Sequence, residues 1–426
     1  MRLKFLILFF IFCFLNLNGE VKWWDKRWDR RCEIIFHSKE YIEKFPVIIK
    51  GSQIKKVIGN ENIPVSTIRV IGKEGEIPSQ IDEYDNLILP PSSPNKVLDE
   101  NDEIVFLANL YSGETSYYIY WNTLPLPCPN YNSNSFIGDP MDSDIFGHDI
   151  QIWNDKILLG IKGPSRGIDP EKNQIENWGM GSIILFYFNR NPIINIHYSW
   201  TGYFPANSIG SRPGNYGKNW SLPDVLFKGP VRISSITFLK DYQYETNKMD
   251  VYNKIYWYEK GDWICFEQII IPEEIPFNFS NLYTLFFKYC DTENDNVFYS
   301  KEGKILNFKM DGKQLENSKK EEIIFQDKNI DGWISGISGN KPSYAFFIPY
   351  LSELQEIKTN YSFYITKNYV YFNFAVKFNE IKEKTYFCLP FWFKNLKKGT
   401  EPSEILNIFE NLKSINIEIK DMEKLK

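Results

Sequence analysis

The chain has 426 residues, enough for two domains that each bury a hydrophobic core. Its formal net charge is −5 with charges of both signs interspersed, so it lacks the basic face that nucleic acids require, and we expect no nucleic-acid partner. Aromatic residues make up 17% of the chain. This large share favours sheet surfaces and, on exposed faces, platforms for sugar rings.

The first residues of the chain predict export. Arg2 and Lys4 precede an apolar run from Phe5 to Leu15, after which the chain becomes polar. A basic start and an apolar segment of about 7–15 residues form a secretory signal, whereas a membrane span needs roughly 20 apolar residues. We predict a signal peptide over residues 1–19, a secreted or extracytoplasmic mature protein and no stable membrane span. An uncleaved N-terminal anchor is the alternative.

Residues 20–122 have the pattern of a small β-sandwich. Strand-like runs cover residues 31–36, 46–50, 68–71, 103–109 and 116–121, with Gly, Pro and Asn between them. The next stretch, 123–145, is rich in Pro, Asn and Ser. We interpret it as a linker or long surface loop, and we place the domain boundary there.

Residues 146–426 have the pattern of a large antiparallel β-supersandwich. Runs of aromatic and β-branched residues recur at short intervals, and turn sequences at 259–262, 301–304 and 366–368 predict three hairpins. Antiparallel sheets, rather than alternating strands and helices, account for this spacing. The fold class that follows is all-β: a small N-terminal sandwich, then a large antiparallel supersandwich.

One short helix is predicted near the C-terminus. It begins at Pro402, and Ile405, Phe409 and Leu412 follow at i, i+4 and i+7 along one face. Apolar residues then alternate with polar ones over residues 414–419. This alternation predicts a closing strand that returns the chain to a sheet.

A series of N-terminal motifs resembles a known family. The motifs, in chain order, are Trp28-Asp29-Arg30-Arg31, Phe45-Pro46-Val47, Ile68-Arg69-Val70, Ile77 to Asp82, Asp102 to Leu107, Ser112 to Thr115 and Tyr117 to Trp121. They are similar to the N-terminal sandwich module of an uncharacterised family of exported bacterial and archaeal proteins. In some of these, a supersandwich like that of polysaccharide lyases and mutarotase-like domains follows, and Gly229-Pro230-Val231-Arg232 resembles its core. The resemblance implies a carbohydrate-active setting, but it assigns no catalytic motif to this chain.

The most site-like segment is 163–223, where Gly, Pro and aromatic residues are frequent. Loops on a rigid β scaffold usually carry binding groups, and aromatic rings, guanidinium groups and carboxylates together suit a sugar polymer. We predict substrate-binding roles for Arg166, Glu176, Trp178, Tyr216 and Trp220. Packing across the sandwich is the alternative explanation for Trp220 and Tyr216.

A polysaccharide lyase needs a base that removes a proton next to a uronate carboxylate, and a cation that neutralises the carboxylate. His197 and Tyr203 are the candidates for the base or acid, and Arg212 for the cation, with Arg166 as a second choice. His197 alternates with Ile194, Ile196 and Tyr198 and therefore points away from them. A structural role for this histidine remains open.

Other chemistry is less well supported. A hydrolase would need two facing carboxylates, for which Asp169, Glu171, Glu176 and Asp224 are available. We expect no cofactor; a structural calcium ion near Asp142, Asp144 and Asp149 is an alternative, although the spacing differs from that of an EF-hand loop. No cysteine spacing predicts a metal or redox site.

The prediction from the sequence is thus an exported carbohydrate-active protein whose partner is a polysaccharide or other glycan. The catalytic hypothesis is a lyase-like enzyme that acts on an acidic polysaccharide. The alternative is a non-catalytic glycan-binding or cell-surface structural protein of the same architecture. The sequence leaves the oligomeric state open.

Overall fold

The computed structural model describes most of the chain between residues 23 and 425. The ranges outside this description are 60, 87, 134–135, 139–147, 154–156, 163–167, 170–173, 176–182, 189–190, 195–198, 201–203, 206–223, 245–246, 260–261, 275–281, 290–295, 310–322, 329, 338–343, 349–361, 367–369, 377–386 and 397–398. The predicted signal peptide and most of the predicted site segment therefore lie outside the described residues.

The first part of the chain is mainly β-structure. Its elements are β1 (Arg30–Ser38), β2 (Ile42–Lys50), helix α1 (Gly51–Ile58), a 3-10 turn (Val65–Thr67), β3 (Arg69–Gly72), β4 (Gly75–Ile77), β5 (Ser79–Asp82), β6 (Glu103–Leu110), β7 (Gly113–Trp121) and β8 (Phe136–Gly138). The five predicted strands are confirmed within a few residues. Helix α1 and the short strands β4 and β5 were not predicted.

The remainder of the described chain is also dominated by strands. They are β9 (His148–Trp153), β10 (Ile157–Lys162), β11 (Ile168–Asp169), β12 (Gln174–Ile175), β13 (Ile183–Phe188), β14 (Asn191–Ile194), β15 (Ser199–Trp200), β16 (Phe204–Pro205), β17 (Asp224–Lys228), β18 (Arg232–Tyr244), β19 (Asn247–Tyr258), β20 (Trp263–Pro272), β21 (Leu282–Tyr289), β22 (Asn296–Lys301), β23 (Lys304–Lys309), β24 (Ile323–Lys328), β25 (Trp333–Ile337), β26 (Tyr344–Phe347), β27 (Ser362–Thr366), β28 (Val370–Val376), β29 (Phe387–Asn395), β30 (Asn416–Ile419) and β31 (Glu423–Lys424). Helix α2 (Pro402–Ser414) precedes the last two strands.

Two facing sheets form the N-terminal sandwich. One has the strand order β30-β1-β7-β3-β4, with β31 also paired to β1, and the other has the order β2-β6-β5. Phe36 of the first sheet meets Phe106 of the second at 6.5 Å between ring centroids. Along β1, Cys32, Ile34 and Phe36 are buried because alternate residues of a strand point to the same face.

The largest sheet has nine strands in the order β17-β18-β19-β20-β29-β26-β25-β22-β23. Its antiparallel pairs include β19 with β20 and β22 with β23, which confirms the hairpins predicted at 259–262 and 301–304. Of the strands beside the third predicted turn, β27 pairs with β24 and β28 pairs with β21. Residues 367–369 lie outside the described residues, so this hairpin stays a prediction. A five-stranded sheet, a four-stranded sheet and two two-stranded sheets complete the described β-structure. The all-β fold class is therefore confirmed.

The C-terminal segment packs on the N-terminal sandwich. Helix α2 buries Ile405, Phe409 and Leu412, as its sequence pattern predicts, and Pro402 occupies its first turn. Strand β30 then pairs antiparallel with β1, so the predicted closing strand is confirmed. The last strands of the chain thus extend the sheet that its first strands begin, while the domain boundary proposed at 123–145 stays a prediction.

A single hydrophobic cluster joins the sandwich to the nine-stranded sheet. It contains residues of both, and Phe45 of β2 meets Trp263 of β20 at 6.2 Å between ring centroids. Phe347 of β26 stacks on Phe409 of α2 at 6.4 Å. The sandwich and the nine-stranded sheet therefore share one hydrophobic core. Within the described part of the chain, no helix has the length and apolar character needed to cross a membrane.

Candidate functional site

A groove of about 410 Å³ lies at one end of the N-terminal sandwich. Its lining residues come from the β3–β4 hairpin and from the β6–β7 connection, which links the two sheets: Gly72, Lys73, Glu74, Ile77, Asn109, Tyr111, Glu114, Thr115, Ser116 and Tyr117. The turn between β1 and β2 reaches the same end, because Ser38 pairs with Gly113 and Ile42 pairs with Leu110. Three turns therefore meet at the groove, which has the volume of an ordinary small-ligand pocket.

Two exposed tyrosines stand beside this groove. Tyr41, in the β1–β2 turn, is 55% exposed, and Tyr111, in the β6–β7 turn, is 42% exposed. Their ring centroids are 5.5 Å apart with an angle of 43° between the planes. Burial of a large ring is favourable, so two adjacent rings left in water form a surface that a ligand with an apolar face can cover. We call Tyr41 and Tyr111 the tyrosine pair.

The turn that carries Tyr41 is fixed by a buried residue of α2. The side-chain oxygen of Asn411 accepts a hydrogen bond from the Lys39 backbone N–H at 2.8 Å, and its amide nitrogen donates to the Glu40 carbonyl at 3.2 Å. The Ser112 hydroxyl donates to the Lys39 carbonyl at 2.8 Å and links the two tyrosine-bearing turns. The tyrosine pair is thus held in place before any ligand arrives.

A β-bulge follows Tyr41. The pairing of β2 with β6 shifts between Ile42 and Phe45, and Lys44 has a positive φ of 49°. The Asn109 side-chain oxygen, at the groove wall, accepts a hydrogen bond from the Lys44 backbone N–H at 3.0 Å. Bulges redirect side chains near binding sites, and this one fixes the direction in which the Tyr41 turn leaves the strand.

Tyr117 forms part of the groove wall. Its hydroxyl accepts a hydrogen bond from the Asn109 backbone N–H at 2.8 Å and donates to the Asn109 carbonyl at 3.2 Å. Burial raises the pKa of Tyr117 to about 12, so this phenol stays protonated at neutral pH. A Cβ atom on Gly72 would come within 2.9 Å of the Tyr117 ring, so glycine is the residue that leaves room for the ring there.

Charged groups of both signs surround the tyrosine pair. The Lys73 ammonium lies 5.8 Å from the centre of the Tyr111 ring, in the range of a cation–π contact. Glu74 and Glu114 line the groove, and His37 Nδ1 lies 3.7 Å from the Glu114 carboxylate. Slight burial, together with Glu43, Tyr111 and Glu74, raises the pKa of Tyr41.

A second cluster of chemically versatile residues lies deep between the sandwich and the nine-stranded sheet. Lys50, Glu103 and Asp82 form a row across β2, β6 and β5, because Glu103 pairs with both neighbours in the strand register. Arg232 of β18 extends over this row and contacts both carboxylates, with its Nε 2.8 Å from Asp82. The Gln80 side-chain oxygen accepts a hydrogen bond from the Arg232 backbone N–H at 3.1 Å.

The charges of this buried cluster balance one another, and water does not reach its centre. Arg232 is fully buried and Asp82 is nearly so. Burial raises the pKa of Asp82 despite Arg232, whereas for Glu103 the Arg232 and Lys50 charges outweigh burial and lower the pKa to about 2. A group that no substrate can touch cannot act on one, so we assign this cluster to the packing of the two sheets.

The eight site residues predicted from the sequence lie outside the described residues. They are His197, Tyr203, Arg212, Arg166, Glu176, Trp178, Tyr216 and Trp220. Of the four hydrolase carboxylates, Asp224 has a described side chain, and it is exposed at the start of β17. The predicted roles therefore stay predictions. The tyrosine pair was not predicted from the sequence. Each tyrosine lies next to a polar turn sequence, and an aromatic residue in such a position is a sign of an exposed ring.

Metal and disulfide chemistry can be judged for the described side chains. Among them, no group of three or more His, Cys, Asp or Glu residues is arranged to hold a metal ion. Cys32, Cys128 and Cys265 have free thiols, and Cys32 and Cys265 are buried. The alternative calcium loop around Asp142 and Asp144 lies outside the described residues.

Comparisons with known proteins define the fold. No family model matches the chain, and no curated protein sequence matches it. Among solved structures it is similar to an alpha-mannosidase from Enterococcus faecalis, with 8% identity and a TM-score of 0.51 over 93% of this chain and 46% of that chain. A glycosyl hydrolase family 38 protein from the same organism has 8% identity and a TM-score of 0.49 over 92% and 47%.

A GH36 alpha-galactosidase from Geobacillus stearothermophilus is also similar, with 10% identity and a TM-score of 0.29 over 62% of this chain and 41% of that chain. Of these three likenesses, the first reaches a TM-score at which a common fold is meaningful. The chain spans about half the length of the two Enterococcus proteins. It therefore shares a β-rich fold with part of the mannosidase.

Proposed function

We propose that the protein binds glycans and that the groove beside the tyrosine pair is its binding site. The observation that carries this proposal is the pair itself: two adjacent tyrosine rings, more than two-fifths exposed, at the rim of a groove. Sugar rings have an apolar face that stacks on such aromatic surfaces, and their hydroxyls need hydrogen-bond partners at the edges. Asn109, Glu114 and Ser116 supply amide, carboxylate and hydroxyl groups along the groove.

The fold likeness is compatible with this proposal. The Enterococcus faecalis protein that shares the fold is an alpha-mannosidase, and the motifs near the N-terminus resemble a family with a carbohydrate-active setting. A fold supports many functions, so the proposal rests on the groove. Membership in the resembled exported family is part of the proposal, as is the secreted location.

Binding measurements on two tyrosine variants test the site. Tyr41→Ala and Tyr111→Ala should each weaken binding to a responding glycan about tenfold, which corresponds to ~1.4 kcal/mol, because each removes a stacking surface. The measurement is isothermal titration calorimetry after a glycan-array screen of the full chain. Stability should change by less than about 0.5 kcal/mol, because both side chains are exposed.

Leu124→Ala is the matched control. Leu124 is the most exposed large apolar side chain among the described residues, at 75%, and it follows β7 at the end opposite Tyr111. The variant removes apolar surface far from the groove, so binding should be unchanged. If all three variants bind as the native chain does, the groove is not the site. If the native chain binds no glycan on the array, the proposed function is wrong.

The lyase hypothesis remains a second proposal that rests on His197, Tyr203 and Arg212. Its test is incubation of the protein with a panel of uronate polysaccharides while unsaturated products are followed by ultraviolet absorbance. Glycan binding without any product would remove this hypothesis and leave the binding function. Mass spectrometry of the exported chain tests the predicted signal peptide, which should be absent from the mature protein.

A further inference from the structure

The charged residues that line the groove are mainly acidic. Two carboxylates, Glu74 and Glu114, and one ammonium, Lys73, belong to the lining, which leaves a net negative charge. All three side chains are exposed at the rim, within reach of a ligand on the tyrosine pair. Charge of one sign around a binding surface attracts ligands of the other sign and disfavours ligands of the same sign.

The other charged groups near the tyrosine pair do not reverse this balance. Lys44 lies 3.7 Å from the Glu43 carboxylate, so this lysine and this glutamate offset each other. His37 approaches Glu114 at 3.7 Å and carries charge when it is protonated. Two of the three neighbours that raise the pKa of Tyr41 beyond the effect of burial are the carboxylates Glu43 and Glu74. The surroundings of the Tyr41 hydroxyl are thus acidic.

The position of Lys73 indicates that the tyrosine surface accepts a positive charge. Its ammonium lies 5.8 Å from the centre of the Tyr111 ring, which attracts cations through its π electrons. Lys73 is exposed, and the side chain is long and flexible, so a ligand cation can displace it from the ring at little cost. Aromatic rings with carboxylates at their edge are a common arrangement for recognising ammonium groups.

We propose that the groove prefers amino sugars, binds neutral sugars less tightly and binds uronates least. This inference rests on the proposed function and narrows it, since glycan binding alone does not require any order among charge types. The ring of the amino sugar stacks on the tyrosine pair. Its ammonium group lies toward Glu74 and Glu114, where a uronate would place a second negative charge. This order of affinities is the reverse of what the sequence-based hypothesis implies, since that hypothesis takes an acidic polysaccharide as the substrate.

A charge series of matched oligosaccharides tests the inference. The probes are short β-1,4-linked oligomers of glucosamine, glucose and glucuronate, which share ring configuration and linkage; equivalent series in manno and galacto configuration cover other stereochemistry. Titrations with the full chain are made near neutral pH, because protonation of His37 beside Glu114 at lower pH would offset the negative charge of the groove. Each step from amine to neutral to acid should weaken binding about threefold, the effect of one exposed charge pair. Higher salt should compress the series.

Charge-neutralising variants assign the order to the groove. The double variant Glu74→Gln/Glu114→Gln leaves Lys73 as the charge of the lining. Measured relative to the neutral oligomer, its preference for the amine over the acid should disappear or reverse. Glu100→Gln is the control: it removes one exposed carboxylate beside α1, and the nine residues of β2 separate it from Tyr41. Its series should match that of the native chain. Tyr41→Ala should weaken all three oligomers by a similar factor.

The outcomes separate the two proposals. Binding of the uronate as tightly as the neutral oligomer would overturn the preference and leave glycan binding in place. A native order that persists in the Glu74→Gln/Glu114→Gln variant would also overturn the inference, because the selecting charges would lie elsewhere. Binding of no oligomer in any configuration would overturn the proposed function together with the preference.

Discussion

The buried cluster around Arg232 and the groove beside Tyr111 contain the same kinds of side chain and differ in their access to water. Both combine tyrosines, carboxylates and at least one basic residue. In the cluster, Arg232 lies 4.3 Å from the Tyr256 ring centre and is sealed between two sheets. In the groove, Lys73 lies over Tyr111 at the surface. Composition alone therefore does not distinguish a packing device from a binding site.

The two regions also differ in what their perturbed pKa values mean. Several perturbed pKa values belong to the buried cluster, where burial and fixed partners act together on Asp82, Glu103 and Arg232. Perturbed titration is often used to locate active sites, yet ion pairs that join two sheets produce it as well. In this protein the accessible aromatic surface, rather than the size of a pKa shift, points to a ligand.

Removal of the central cation is the most severe way to test this contrast. Arg232→Met should lower the free energy of unfolding by about 3–5 kcal/mol, because it leaves the buried carboxylates of Asp82 and Glu103 without their main partner. Urea denaturation measures the loss. The glycan affinity of the fraction that remains folded should be unchanged. The groove lies beside Ile42 and Leu110, at the end of β2 and β6 opposite Lys50 and Glu103.

Two further variants make the result specific. Arg27→Met removes an arginine that is 74% exposed and paired with Asp25, and it should leave the free energy of unfolding nearly unchanged. The quadruple variant Arg232→Met/Lys50→Met/Asp82→Leu/Glu103→Leu replaces all four charges of the cluster with apolar groups and should recover most of the lost stability. An Arg232→Met protein as stable as the native chain would show that the cluster does not join the sheets.

The fold class was predictable because strands and hairpins are encoded locally. Alternating apolar residues and turn sequences marked β1, β6, β7 and the hairpin of β22 and β23, and the i, i+4, i+7 spacing marked α2. Helix α1 was missed because its eight residues are few and directly continue a strand. Its signal was the pair Ile54 and Ile58, four positions apart and both buried.

What the sequence did not predict depends on contacts between distant residues. The pairing of β30 with β1 joins Ile419 to Ile34, and the row of Lys50, Glu103 and Asp82 exists through strand register. The tyrosine pair likewise requires that two turns, 70 residues apart in the chain, meet at one end of the sandwich. Neither composition nor periodicity contains this information.

Loss of the Asn411 side chain should affect stability and binding together. Asn411→Ala leaves the Lys39 N–H and the Glu40 carbonyl without their partner in a partly buried setting, which costs about 1–2 kcal/mol. The β1–β2 turn should also become less ordered, and glycan binding should weaken because Tyr41 must be fixed on binding. Asn407→Ala, at an exposed position one turn earlier on α2, should change neither quantity. Equal behaviour of the two variants would contradict the positioning role.

Enlargement of Gly72 should deform the groove wall at a smaller cost. The new methyl group of Gly72→Ala would meet Cε1 of Tyr117 at 2.9 Å, and the ring is held by two hydrogen bonds to Asn109. We expect a loss of about 1 kcal/mol and weaker glycan binding. In a double-mutant cycle with Tyr117→Leu, which removes the clash, the two effects should not add. Additive effects would place the strain elsewhere.

The smallest expected effect is a change in pH dependence at the end of the sandwich opposite the groove. Asp102 accepts hydrogen bonds from the backbone N–H groups of Tyr84 and Asp99, and burial raises its pKa from 3.8 to about 6. The folded protein therefore binds more protons than the unfolded chain between these values, so stability should fall as pH rises from about 4 to about 6.

Solvent screening limits this contribution to less than about 1 kcal/mol. The variant Asp102→Asn should remove the slope in this window, measured as the unfolding midpoint in urea at a series of pH values. Its absolute stability will also change, because an amide accepts from one N–H where the carboxylate accepts from two.

The decline in stability at lower pH should persist in the variant. The pKa of Glu103 is about 2 in the folded protein, and its stabilising charge is lost as pH falls toward that value. A slope between pH 4 and 6 that survives the substitution would assign it to another buried carboxyl, for which Asp82, with its raised pKa, is the next to test.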